Sequence, residues 1–154
     1  MIGFWDWALD AYAKPGMAEA CLDLQDQYEQ CTAYLLWSAW ASSQGLDLDP
    51  QTLEAGHQLA KTWEAEVLQP LRQVRRFLKP TLANMPDGPR EVLREQVKAA
   101  ELAAEQTLMT RLADMAPTIQ APHPPTHLDA MIKAGALWSP SPPLEALSRL
   151  ADRL

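Results

Sequence analysis

The sequence predicts an all-α fold: a compact bundle of about four helices with a Pro-rich C-terminal arm carrying one or two short helices. Three observations carry that expectation. Ala (24) and Leu (23) dominate the 154 residues whereas Val and Ile together number 7, a composition that favours helix and denies a sheet the β-branched side chains it packs with. Apolar residues recur at spacings of three and four over most of the chain, the period of a helix with one buried face. At 47% hydrophobic residues the chain can fill a core, and its length suits a single domain.

Residues 2–13 read as a short amphipathic helix with Ile2, Trp5, Leu9 and Tyr12 or Ala13 on its apolar side and Asp6, Asp10 and Lys14 opposite. Lys14-Pro15-Gly16 is a turn. A second helical stretch, 17–43, places Met17, Cys21, Leu24, Tyr28, Cys31 and Leu35 in register, with a polar stretch at 27–32 where a break is expected and Gly45 closing the end. Asp49-Pro50 reads as N-cap and first helical residue. From there one stripe of Leu59, Trp63, Val67, Leu71, Val74 and Leu78 runs through Pro70, where a kink is expected. Residues 80–89 form a turn, and Pro89 opens the longest helix, to about Ala116, with Leu93, Val97, Ala100, Ala104, Leu108, Leu112 and Met115 on one side. Seven of the 13 prolines fall in 117–154, which marks 1–116 as the helical domain and 117–154 as the arm. Its segment Leu144, Leu147, Leu150 and Leu154 is expected either to dock on the domain or to pair protomers as a homo-oligomer.

The net charge of -7 argues against broad non-specific duplex binding. It is unevenly spread: residues 1–49 hold eight acids and one base, whereas 50–80 hold three acids and five bases. Arg72, Arg76 and Lys79 line up on one helix side with Arg75 beside them, and His57, Lys61 and Glu64 lie further back on that same polar side. Three fates fit such a row: a solvated face or one paired with the acidic N-terminal third, a surface for an acidic protein partner, or a grip on phosphate or RNA. Trp37, Trp40 and Trp63 are expected in the core, and Trp5 or Trp7 at an interface, since both cannot enter one core from one helix.

No Gly-rich phosphate loop, HExxH, CxxC or GxSxG occurs. His123 and His127 have Pro124 and Pro125 between them and do not form a metal pair on one helix face, so neither metal nor cofactor is expected. The acidic patch of Glu19, Asp23, Asp26 and Glu29 around Gln25 lacks the Glu-x-x-His partners of a diiron bundle. Cys21 and Cys31 read as reduced core thiols. The first residues lack a secretory n-region, and the longest apolar run, Ala33–Ala41, is about half a membrane span, which makes the cytoplasm the expected location.

The order FWDWALDAYAKPGMAEACLDLQD, LLWSAWASSQGLDLD and PLRQVRRFLK over residues 3–80 resembles an uncharacterised proteobacterial family of short conserved proteins. The family usually breaks before its Leu-Leu with a Gly-x-Asp-Val-Asn-like stretch. This chain has Glu29-Gln30-Cys31-Thr32-Ala33 there, which implies a helix running on through that point. The resemblance implies no activity or ligand, but it singles out Gln25, Asp26, Arg72, Arg75 and Arg76.

The leading expectation is therefore a small non-catalytic protein that binds a macromolecular partner through Arg72, Arg75, Arg76 and Lys79, with Trp5 or Trp7. The alternatives are a phosphate-ligand or RNA binder using the row Arg72–Lys79, and a helical enzyme with a Gln25/Asp26/Arg72 pocket.

Overall fold

The computed structural model describes residues 1–154, and every regular element is a helix. The axis is α3 (Thr32–Ser43), in which Ala33 to Ala41 are all buried; a helix apolar on every side must be enclosed on every side. Around it stand α1 (Phe4–Tyr12), α2 (Met17–Tyr28), α4 (Pro50–Trp63), a π turn (Glu64–Leu68) that leads without interruption into α5 (Gln69–Phe77), α6 (Asp87–Met115), α7 (His127–Trp138) and α8 (Leu144–Ala151). With α4, the π turn and α5 taken as one rod, seven rods stand where about four were expected.

The local signals explain most boundaries. The Asp49 carboxylate accepts from the Thr52 amide at 2.7 Å, capping α4 with Pro50 in its first turn. α3 ends where Gly45 takes φ +75° and the Leu46 amide reaches back to the Ala41 carbonyl. The long stretch 17–43 does break: Glu29 adopts φ 52°, α2 stops and α3 starts at Thr32, so the helix does not run on. Pro70 has no N–H, and its ring crowds the carbonyl four residues back. The rod absorbs this by widening into the π turn, where the Gln69 amide bonds the Glu64 carbonyl.

Two expected faces are corrected. In α1 the buried residues are Phe4, Ala8 and Ala11, while Leu9 and Tyr12 are partly in the open. Phe4 stacks on Trp40 with centroids 5.4 Å apart, and the Trp40 indole donates to the Ile2 carbonyl, which turns the helix onto its smaller side chains. In α6 only the second half reaches the core, through Ala104, Leu108, Met109 and Leu112; Leu93 is exposed.

The segment expected as an arm is part of the same core, so a boundary at 116 does not separate two bodies. Met131, Ala134, Ala146, Leu147 and Leu150 belong to the cluster built around α3. Prolines confine 117–126 to an irregular path, yet that path is tied down: the Ala121 amide donates to the Gly45 carbonyl and the Ser42 hydroxyl to that of Pro125. α7 lies along α3, with the Tyr34 hydroxyl donating to the Ala134 carbonyl at 3.0 Å and the Trp138 indole to that of Glu29 at 2.9 Å. Leu147 and Leu150 are wholly enclosed against α2 and α7, leaving only Leu144 in the open. The leucine face proposed for protomer pairing is therefore occupied within one chain.

α4 approaches α3 closely at Gly56, where an added Cβ would come within 2.3 Å of the Trp37 ring. Next to it His57 is buried among the rings of Tyr34 and Trp138.

Candidate functional site

On the rod α4–π turn–α5 the buried residues are Leu53, Gly56, His57, Ala60, Glu64, Leu68 and Arg72. Of the polar side read from the sequence, His57, Glu64 and Arg72 turn inward while Lys61, Arg76 and Lys79 stay exposed, and the stripe Leu59, Trp63, Val67 and Leu71 lies half-buried beside them, with the Trp63 indole donating to the Ala104 carbonyl of α6.

Turning that side inward brings Arg72 into the molecule with only 5% of its side chain exposed. Buried charge is tolerable only when paired and hydrogen-bonded, and three carboxylates supply the pairing. Arg72 Nη1 donates to Glu64 Oε1, its Nε lies 3.4 Å from Glu101 Oε1, and its Nη2 lies 3.9 Å from Glu105. Arg75 completes the group, its Nε donating to Glu101 Oε2 at 2.7 Å. Arg76 and Asp26 approach to 3.7 Å with both side chains about half exposed, so this single link matches the expected pairing with the acidic N-terminal third. Lys79 pairs with no acid. The row is not one surface: Arg72 and Arg75 are consumed by α6 and the π turn, neither of which lies in the N-terminal third.

The structure does bring Gln25, Asp26 and Arg72 together. With Glu29, Gln69 and Arg76 they line a cleft between α2 and α5, about 290 Å³ in volume and without one hydrophobic residue. Arg72 lines it too, but its charge is paired with Glu64, Glu101 and Glu105, and its one hydrogen bond goes to Glu64. Trp5 and Trp7 sit elsewhere, both half-buried against the core. Trp5 lines an apolar groove between α1 and α6, and Trp7 leans on Phe4 with centroids 6.4 Å apart.

Burial sets the chemistry of the remaining groups. It pushes the Cys21 thiol up to about 11 and that of Cys31 up to about 12, so both are protonated and poor nucleophiles. It holds the Tyr12 hydroxyl protonated well above its ordinary range. Glu105 also keeps its proton above the usual carboxylate range, through burial first and then through its neighbours Glu101 and Glu64, against the pull of Arg72.

Sequence reasoning missed Glu64, Glu101, Glu105 and Arg90 as a set. Arg90 is buried, and its Nη1 donates to the carbonyls of Leu78 at 2.7 Å and Lys79 at 3.0 Å, capping α5 from α6. Their i, i+4 spacing on α6, at 101 and 105, was the available signal for the carboxylates. Nothing in the local pattern marked Arg90.

The family described as "Protein of unknown function (DUF2390)" matches residues 3–112. The chain belongs to that family. Its span exceeds the 3–80 expected from the opening motifs and takes in all of the Arg72 cluster, ending at Leu112 inside α6. No curated protein and no solved structure matches the chain.

Proposed function

We propose that this DUF2390 protein is a non-catalytic binding module whose hairpin of α5 and the first half of α6 engages an acidic surface of a protein partner. The observation that carries it is the exposure of large apolar side chains on a basic projection. Between residues 73 and 103 only Leu78 and Arg90 are buried, while Phe77 is 64% and Val92 62% exposed, with Val74, Met85 and Leu93 also in the open. Clustered apolar exposure on a folded chain is characteristic of interaction surfaces. Residues 76–98 carry five bases against three acids in a chain of net charge -7. Two copies meeting hairpin to hairpin would oppose like charges, whereas an acidic partner is complementary. Of the residues named from sequence, Arg76 and Lys79 are the two that face outward here. A phosphate or RNA ligand is less well supported, because Arg72 and Arg75 are already neutralised.

Affinity capture from the native cell with the wild-type chain and a Phe77→Asp/Val92→Asp variant tests this, with mass spectrometry for proteins and sequencing for RNA. The expected result is a protein retained by the wild type, lost from the variant and released by salt. Recovery of RNA, or equal capture by both chains, overturns it.

A second reading rests on the wholly polar cleft: a helical enzyme or small-ligand binder using Gln25, Asp26 and Arg72. Substrate or ligand screening of the wild type against Gln25→Ala/Asp26→Ala tests it, and identical profiles for the two chains dismiss it.

A further inference from the structure

The groove that Trp5 lines lies between α1 and the second half of α6. Trp5, Leu9 and Tyr12 form one side, Leu102 and Met109 the other, and Glu105 is its one residue that is not hydrophobic. Leu9 and Leu102 are about half exposed at its mouth. Its volume of about 260 Å³ holds one large side chain. A helix, about 10–12 Å across with its side chains, is too large for it. Asp6 and Asp10 stand exposed on the same helix as Leu9, and neither takes part in an ion pair. The one base among the first 49 residues, Lys14, is spent on the backbone oxygen of Leu154. The α1 side thus offers an apolar recess with unpaired acids beside it.

The hairpin of α5 and the first half of α6 has the opposite character. None of residues 73–103 belongs to the core built around α3. Phe77 is 64% exposed and follows the exposed Val74 by one turn of α5. Within the hairpin Arg90 is paired with Asp87 and Glu91, and Lys98 with Glu95. Lys79 and Arg94 have no acid, and the Nε of Arg94 makes no hydrogen bond. An exposed aromatic ring therefore stands on a projection with unpaired bases. It cannot reach the groove of its own chain. Arg90 holds the carbonyls of Leu78 and Lys79, which fixes Phe77 beside the start of α6. Leu102 lies twelve residues further along that unbroken helix, about 18 Å away.

We infer that the groove receives Phe77 from the hairpin of a second copy, so that the acidic partner of the hairpin is this same protein. The inference rests on the hairpin reading above and names its partner. Charge selects the pairing. Hairpin against hairpin opposes bases and groove against groove opposes acids, whereas hairpin against groove brings Lys79 and Arg94 toward Asp6 and Asp10. Shape selects it as well, because the groove has room for one ring and the hairpin exposes one. An aromatic anchor in a pocket, with charges around it, is the arrangement that concentrates binding energy at specific interfaces. Every chain carries both halves, so the contact repeats from copy to copy, as an open chain, a ring or a reciprocal pair.

Sedimentation velocity of the full chain between about 5 and 500 µM tests this. At low salt the wild type is expected to associate with a dissociation constant on the order of 10–100 µM, and about ten-fold more weakly in about 0.5 M salt. Phe77→Asp and Leu9→Arg, both at exposed positions, are each expected to remain monomeric alone. Mixed in equal amounts, the intact groove of the first and the intact hairpin of the second should form a dimer that grows no further. Val74→Asp and Leu102→Arg, also at exposed positions, repeat the mixing experiment where either of the first two chains melts early. A wild type that stays monomeric, association unaltered by either substitution, or a mixture as monomeric as its components overturns the self-contact. The capture experiment above separates the two readings. A different acidic protein lost from Phe77→Asp/Val92→Asp, with the wild type monomeric, overturns the self-contact alone; no protein lost from that variant, with the wild type monomeric, overturns both.

Discussion

Arg72 and Glu64 face one another across the π turn, eight residues apart on one rod. In an unbroken α-helix a separation of eight residues leaves two side chains about 80° apart around the axis. The extra residue taken up by the π turn brings them onto one face. The turn that accommodates Pro70 is therefore also what closes the buried ion pair.

Replacing Arg72 by Met removes the counter-charge from Glu64 and Glu105 and leaves Glu101 with Arg75 alone. A loss of about 3–5 kcal/mol is expected, the magnitude of breaking a buried pair from one side. Arg76→Ala, which removes a half-exposed link to Asp26, should cost under about 1 kcal/mol. Urea unfolding of the two variants separates them, and equal effects would contradict the burial assigned to Arg72.

Gly56→Ala places a methyl group against the Trp37 ring, which has no room to withdraw because α3 is enclosed on all sides. Overpacking of about 1–3 kcal/mol is expected, seen as a lowered midpoint and an altered near-ultraviolet signal.

Arg90→Ala leaves the carbonyls of Leu78 and Lys79, at the end of α5, without that donor, at a cost of about 1–3 kcal/mol. The loss should be local, with limited proteolysis or hydrogen exchange showing faster opening at 78–90 than in α3.

Glu105 holds its proton more tightly in the folded chain than in the unfolded one. The folded state then binds more protons between the two values, and its stability falls as pH rises from the ordinary carboxylate value of about 4.3 through the raised one. Glu105→Gln removes that penalty. The variant should melt higher than the wild type at pH 7 and equal to it below about pH 4, measured by thermal scans across that range.

How far the chain could be read in advance depended on how local the cause was. Caps and turns at Gly45, Asp49 and Pro15-Gly16 need only their neighbours, and they fall where expected. The inward face of α4 and α5 did not, because the apolar stripe and the buried stripe run side by side, and only the position of α6 decides which is covered. Gln25, Asp26 and Arg72 do line one cleft. The three glutamates behind Arg72 come from two rods, and a one-dimensional pattern cannot bring them together. The prolines after Ala116 indicated an irregular path but not its docking, which rests on single bonds such as Ser42 to Pro125.

The covering of α3 also carries a kinetic consequence. The hydroxyl of Tyr34 finds its partner one hundred residues later, at Ala134, and Leu147 and Leu150 close the same core. A helical protein with such distant pairings folds more slowly than its secondary structure suggests. During synthesis an apolar helix with Trp37 and Trp40 is complete long before the segments that shield it exist. That interval is when the chain is most exposed to aggregation and to chaperones.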